Sequence, residues 1–131
     1  MSRLSRDDLQ PPSEASRHKV LKALDGLEGA EIALAAALNE RRIQFDIIRR
    51  HVKGNDLAVD PSFMEGYAKS RDEFTQTINR FRAARHNFQR VIYEVAREEG
   101  LSIDATARAW GVSRQLVSRV LNEGPSDSIR E

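Results

Sequence analysis

Apolar positions recur at alternating steps of three and four residues over two long stretches of the chain, separated by a short polar break. The first stretch runs from Glu14 to Val52 and marks Leu24, Leu27, Glu31, Leu34, Leu38, Arg41, Phe45, Ile48 and Val52. The second runs from Pro61 to Glu99 and marks Tyr67, Arg71, Phe74, Ile78, Phe81, Arg85, Phe88, Ile92 and Val95. This spacing predicts two long amphipathic helices, each with one apolar seam. Ser13 is placed to cap the first helix, with Glu14 where the helix dipole favours a negative charge. The break is Lys53-Gly54-Asn55-Asp56, residue types that favour turns and left-handed backbone. Asp60-Pro61 then starts a second helix with proline in its first turn. Two helices of similar length joined by a short loop fold back as an antiparallel hairpin, with arms roughly 55–60 Å long.

Pairing Val52 with Phe63 or Met64 across the break puts facing residues at numbers that sum to roughly 114–117. Glu31 then lies opposite Arg85, and each interrupts its seam with opposite charge. They are expected to pair and fix the register; the plainer alternative is that both reach out to solvent. Gly26 and Gly29 weaken the first helix by about 1 kcal/mol each relative to alanine, and are expected to admit a close neighbour or a bend. Ile32, Ala36, Ile43 and Ile47 form a second stripe beside the first seam, and the run IALAAAL is apolar nearly all round. A helix apolar on more than one side needs more than one neighbour. A second copy of the chain supplies it most simply, giving a four-helix dimer core.

The C-terminal part reads VIYEVAREEGLSIDATARAWGVSRQLVSRVLNE from Val91 to Glu123. Gly100 ends the second long helix. Ser102 caps a short helix, Ile103 to about Trp110, and Gly111 ends it. Ser113 caps the last helix, Arg114 to about Asn122. Two short helices on either side of a tight glycine turn form a helix-turn-helix arrangement.

Over these 33 residues, about a quarter of the chain, the sequence resembles the prokaryotic helix-turn-helix DNA-binding family of bacterial repressors, recombinase ends and sigma-factor promoter-reading domains. Ala107 falls where that family needs a small residue at a close helix crossing. Gly111 falls where its turn needs a left-handed residue, and Val112 where the turn is anchored in the core. Val117, Val120 and Leu121 match the inward positions of the recognition helix, and Ile103 and Trp110 those of the preceding helix. Thr106 departs from the usual aliphatic residue, so its hydroxyl needs a partner such as a carbonyl one turn back. Trp110 is larger than the usual leucine. The resemblance implies that Arg114, Gln115 and Ser118, with Arg119 next in line, reach base edges in the major groove. Arginine reads guanine and glutamine reads adenine through paired hydrogen bonds. Ser113 is expected to offer its backbone N–H to a phosphate, and Arg108 a side-chain phosphate contact. The third helix of the module is expected to be the end of the second long arm, about Phe88 to Glu99, which joins reader and hairpin without a flexible linker.

Charge narrows this picture. Lys and Arg number 21 and Asp and Glu 20, a net of +1, which excludes binding to nucleic acid or membrane by bulk charge alone. Residues 101–122 carry three arginines against Asp104, so two modules acting together are expected for useful affinity. A second basic region, Arg41, Arg42, Arg49, Arg50 and Lys53 against Asp46, is either a contact for DNA backbone or an acidic partner, or simply a solvated helix face. Arg80, Arg82, Arg85, Arg90 and His86 follow on the other arm.

Candidate chemistry is sparse. With no cysteine, thiol catalysis, disulfides and cysteine-based zinc sites are excluded. His18, His51 and His86 show no helical metal spacing among carboxylates, and no phosphate loop or nucleophile elbow is present. Glu98-Glu99 reads as a surface helix end. No enzyme, metal or cofactor is expected. The longest strongly apolar run, Ile32 to Leu38, is too short to span a bilayer, which needs roughly 20 residues, and the N-terminus lacks a signal-peptide core. A cytoplasmic location, on the nucleoid, is expected.

The expected protein is therefore all-α. Residues 1–12 form a disordered arm, 13–99 a coiled-coil-like hairpin for self-association, 88–122 the helix-turn-helix, and 123–131 a disordered tail. It is expected to be a homodimeric, sequence-specific binder of double-stranded DNA, a transcriptional regulator of bacterial or phage type. Two alternatives stay open: an architectural DNA-binding protein of low sequence specificity, and an interaction protein that docks on polymerase or another protein partner through the hairpin.

Overall fold

The computed structural model describes residues 12–54 and 61–124. They form four helices, α1 (Glu14–Lys53), α2 (Pro61–Glu98), α3 (Ile103–Trp110) and α4 (Arg114–Glu123), and no strand occurs among the described residues. Residues 1–11 of the expected arm, residues 125–131 of the expected tail, and Asn55 to Asp60 of the break lie outside the described residues. Glu123, expected in the tail, belongs to α4 as its last residue, its carboxylate 3.5 Å from Arg119 one turn back, and Gly124 (φ 70°) ends the helix.

Local chemistry sets the helix ends. Ser13, Ser102 and Ser113 each adopt extended backbone and accept a hydrogen bond from the N–H three residues on, at 3.0, 3.0 and 3.1 Å. Each thereby satisfies one of the unpaired donors of a helix start. At the end of α2 the Leu101 N–H donates to the Ala96 carbonyl and the Gly100 N–H to that of Arg97, with Gly100 at φ 96°. This pair of hydrogen bonds around a left-handed glycine is a Schellman cap. Gly54 differs: it caps α1 at φ −83°, outside the left-handed region, through its N–H to the Arg50 carbonyl.

α1 and α2 run antiparallel in the expected register. Lys19 meets Glu98 at one end, Arg41 lies over Phe74 midway, and His51 packs on Phe63 at the other. The face α1 turns to α2, however, is rotated from the predicted seam. Leu27, Leu34, Arg41 and Ile48 remain on it, but the alternate positions are Ala23, Ala30, Ala37 and Gln44, while Leu24, Glu31, Leu38, Phe45 and Val52 are exposed. α2 shifts in the same sense. Tyr67, Phe74, Phe81 and Phe88 stay inward with Ser70, Thr77, Ala84 and Val91, whereas Arg71 and Arg85 are exposed. Bulk explains the choice: four aromatic side chains on α2 need small residues between the large ones of α1 if the helices are to interdigitate. The rotation also takes two arginines out of the interface, where their desolvation would be costly. Arg41 stays, its guanidinium 4.5 Å from the Phe74 ring centre and 5.1 Å from that of Phe45, a cation–π arrangement.

Two expectations fall with the predicted seam. Glu31 and Arg85 do not pair; both stand exposed, with no ion pair between them. Gly26 and Gly29 admit no close neighbour within the chain, since a Cβ on either would meet nothing within 4 Å, and the alternative of a bend is left open.

The lower end of the hairpin is clasped. The Ser13 N–H donates to Glu99 Oε1 at 2.9 Å, and Lys19 Nζ lies 2.9 Å from Glu98 Oε1. The Glu98-Glu99 pair thus ties α1 to the end of α2, a role its sequence position did not reveal. The hydrogen bond to Glu98, and then its charge, hold the Lys19 ammonium above its ordinary pKa of 10.5. This contribution to stability is fully present below the unfolded value and fades only as pH rises through the higher folded one. None of the described helices is long and apolar enough to cross a membrane.

Candidate nucleic-acid interface

Near its end α2 is buried on two opposite sides. Val91 faces α1, and Tyr93, two residues on and so about 200° around the helix, faces α3 and α4. Tyr93 is 1% exposed and centres the C-terminal core with Ala107, Val117 and Val120, joined at the edge by Ile92, Ile103, Val112, Leu116 and Leu121. Its hydroxyl accepts from Gln89 Nε2 at 2.9 Å, which satisfies the polar end of a buried ring. The seam periodicity marked Ile92 and Val95 and passed over Tyr93, because a single stripe cannot describe a helix held between two partners.

Between α3 and α4 the chain turns at Gly111 (φ 67°). The Gly111 N–H donates to the Arg108 carbonyl and the Val112 N–H to that of Ala107. This is a second Schellman cap, and it points Val112 into the core beside buried Ala107. Thr106, 4% exposed, donates its hydroxyl to the Ser102 carbonyl at 3.0 Å, as its departure from an aliphatic residue requires. Trp110 does not fill an inward position: it is 41% exposed, and its ring meets that of Tyr93 edge to face, with centroids 5.6 Å apart at 85°. As the last residue of α3 it sits at the rim of the core, against the Tyr93 ring that fills it.

α4 is amphipathic in the strict sense. Val117 and Val120 are 1% and 2% exposed, and Leu116 and Leu121 flank them. Gln115, Arg119 and Asn122 stand exposed on the opposite face, with Ser118 half-buried between them and Arg114 at its edge. Asn122 was not singled out from the sequence, although its spacing of seven from Gln115 places it on the same face. Arg114 and Arg119 are each 67% exposed, but neither is free. Arg114 Nε lies 3.4 Å from Asp104 Oδ1 and Arg119 Nε 3.5 Å from Glu123 Oε1. Exposed pairs of this kind contribute about 0–1 kcal/mol, so an anionic ligand can displace them. Arg108 is exposed near the end of α3. The Ser113 hydroxyl is occupied by its cap. The far end of α4 is held to α2, with His86 Nε2 3.4 Å from the Gly124 carbonyl oxygen and 3.9 Å from Glu123 Oε2.

The chain matches no family model, no curated protein and no solved structure. The site therefore stands on its own geometry.

The second basic region lies at the other end of the hairpin and does not join this face. Arg41 leaves it altogether, stacked in the α1–α2 seam. Arg49 pairs with Asp46 at 2.7 Å, and Arg42, Arg50 and Lys53 are exposed. Among the described residues no group of three or more histidine or acidic side chains is placed to hold a metal ion.

Proposed function

We propose that the chain binds double-stranded DNA through α3 and α4, acting as a helix-turn-helix whose second helix enters the major groove, and that it works as a homodimer in transcriptional regulation. The observation that carries this reading is the two-sided character of α4. Its apolar side is sunk on Tyr93, and its other side presents Gln115, Arg119, Ser118 and Asn122, with Arg114 beside them. Glutamine, asparagine and arginine are the side chains that make paired hydrogen bonds to adenine and guanine edges. An α-helix about 10–12 Å across with its side chains suits a groove about 12 Å wide. Arg108 and the start of α4 supply backbone contacts that position it. The Schellman turn and the hold of α2 on both helices make the unit rigid, so little ordering cost is left for binding.

The chain's small net charge favours specific contacts over bulk attraction, which is why sequence-specific regulation is preferred to architectural binding. The test is selection of bound sequences from a random duplex pool with the full chain at about 150 mM salt, where non-specific binding is weak. Enrichment of a two-fold symmetric site is expected. Binding without enrichment would move the reading to an architectural protein, and absence of binding would refute it.

A further inference from the structure

α1 carries a second seam that nothing in the described structure covers. Leu24, Leu38, Phe45 and Val52 are 44%, 49%, 38% and 55% exposed, and they fall on one stripe with Leu21, 58% exposed, about 100° around the helix from the face that meets α2. Two faces about a right angle apart are what a helix in a four-helix bundle needs. The stripe is also polarised. Its N-terminal half holds Glu28 and Glu31, and its C-terminal half Arg42 and Arg49. A parallel copy would set like charges against like. An antiparallel copy sets acid against base.

We propose that two copies of the chain associate through this stripe, α1 against α1, antiparallel about a two-fold axis between Ala35 and Leu38. Glu31 of each copy then faces Arg42 of the other, Ala35 faces Leu38 and Leu21 faces Val52, while Phe45 and Leu24 pack on the aliphatic stems of Glu28 and Arg49, whose charged ends reach solvent. The proposal rests on the reading of the protein as a homodimer and names the surface and register of that dimer. It gives Glu31 the partner it lacks on α2, and it assigns Arg42 to the dimer contact and not to DNA. Steric fit agrees: Ala35, small and exposed, stands at the crossing where the two helices come closest.

Sedimentation equilibrium of the full chain tests this without reference to DNA. The unsubstituted chain is expected to be a dimer at micromolar concentration. Glu31→Arg and Arg42→Glu should each shift it at least tenfold toward monomer, with helicity unchanged, and the double exchange should restore the dimer. Dimers that ignore all three variants would overturn this surface while leaving a dimer through another face. A monomeric parent chain would overturn both. Should a variant fail to fold, the cysteine-free chain permits a second check. Ala35→Cys with Leu38→Cys should cross-link into covalent dimers on oxidation. Ala36→Cys, level with the axis but on the neighbouring stripe of Ile32 and Ile43 that the sequence pattern marks, should not. Equal cross-linking by both would overturn the register.

Discussion

Gly111 is where a single residue decides the geometry of the candidate interface. Its φ of 67° lies in the left-handed region, and a Cβ there would meet nothing within 4 Å, so any penalty for a larger residue is backbone strain alone. Gly111→Ala should therefore destabilise the protein by about 1–2 kcal/mol in urea unfolding. An unchanged midpoint would mean that the turn relaxes to another conformation. Arg114 poses a different question, since it is shared between Asp104 and any ligand. Arg114→Ala should cost about 1–3 kcal/mol in DNA binding and relax the preference at one base position. Equal affinity for all sequences before and after the change would remove Arg114 from base reading. Both residues were recognisable in the sequence, because a left-handed glycine after a short helix and an arginine after a serine cap are local signals. The pairing of Arg114 with Asp104 was not, since it depends on how α4 crosses α3.

At the scale of elements, the long helices show what a periodic pattern does and does not contain. The 40 residues of α1 and 38 of α2 lie where alternating steps of three and four predicted them. The inward face did not follow. In α1 the residues one place before Leu24, Leu38 and Phe45 are Ala23, Ala37 and Gln44, and a stripe built on either set keeps the same spacing. Hydrophobicity favours the leucines; fit against the aromatic side chains of α2 favours the alanines. Gly29 shows the gap between propensity and packing from the other side. It sits exposed in the middle of α1 with empty space where a Cβ would be. Gly29→Ala should stabilise the chain by about 0.5–1 kcal/mol, read as a rise in urea midpoint without a change of slope. A loss of stability instead would show that this position touches something in solution.

For the whole molecule, the hairpin sets distances. Its register places Tyr93, on which α3 and α4 are anchored, level with residues about 21–24 of α1. In an antiparallel α1–α1 dimer centred between Ala35 and Leu38, the two C-terminal units would stand about 40 Å apart along the bundle. That is close to one turn of B-DNA, about 34–36 Å. Sequences selected by the dimer should accordingly have half-sites centred about one turn apart. Half-sites separated by two turns or more would be incompatible with this arrangement of α1. Each hairpin tip, with Arg50 and Lys53 exposed, would then lie level with the partner copy's C-terminal unit, since Val52 faces Leu21 across the dimer.

What the sequence by itself determined are the features made by neighbours along the chain. Three serine caps, the glycine turns at Gly100 and Gly111, the start of α2 at Pro61 and the extent of each helix all depend on contacts between residues a few places apart. The antiparallel register was also legible, because a short connection leaves little freedom in how equal arms meet. Tertiary structure alone decided which side of α1 is inner, that Tyr93 centres the second core, that Arg41 is stacked instead of solvated, and that Glu98 and Glu99 clasp α1. Each of these turns on volume or charge supplied by a residue tens of positions away. No local period records which of two overlapping faces a distant aromatic side chain will fit.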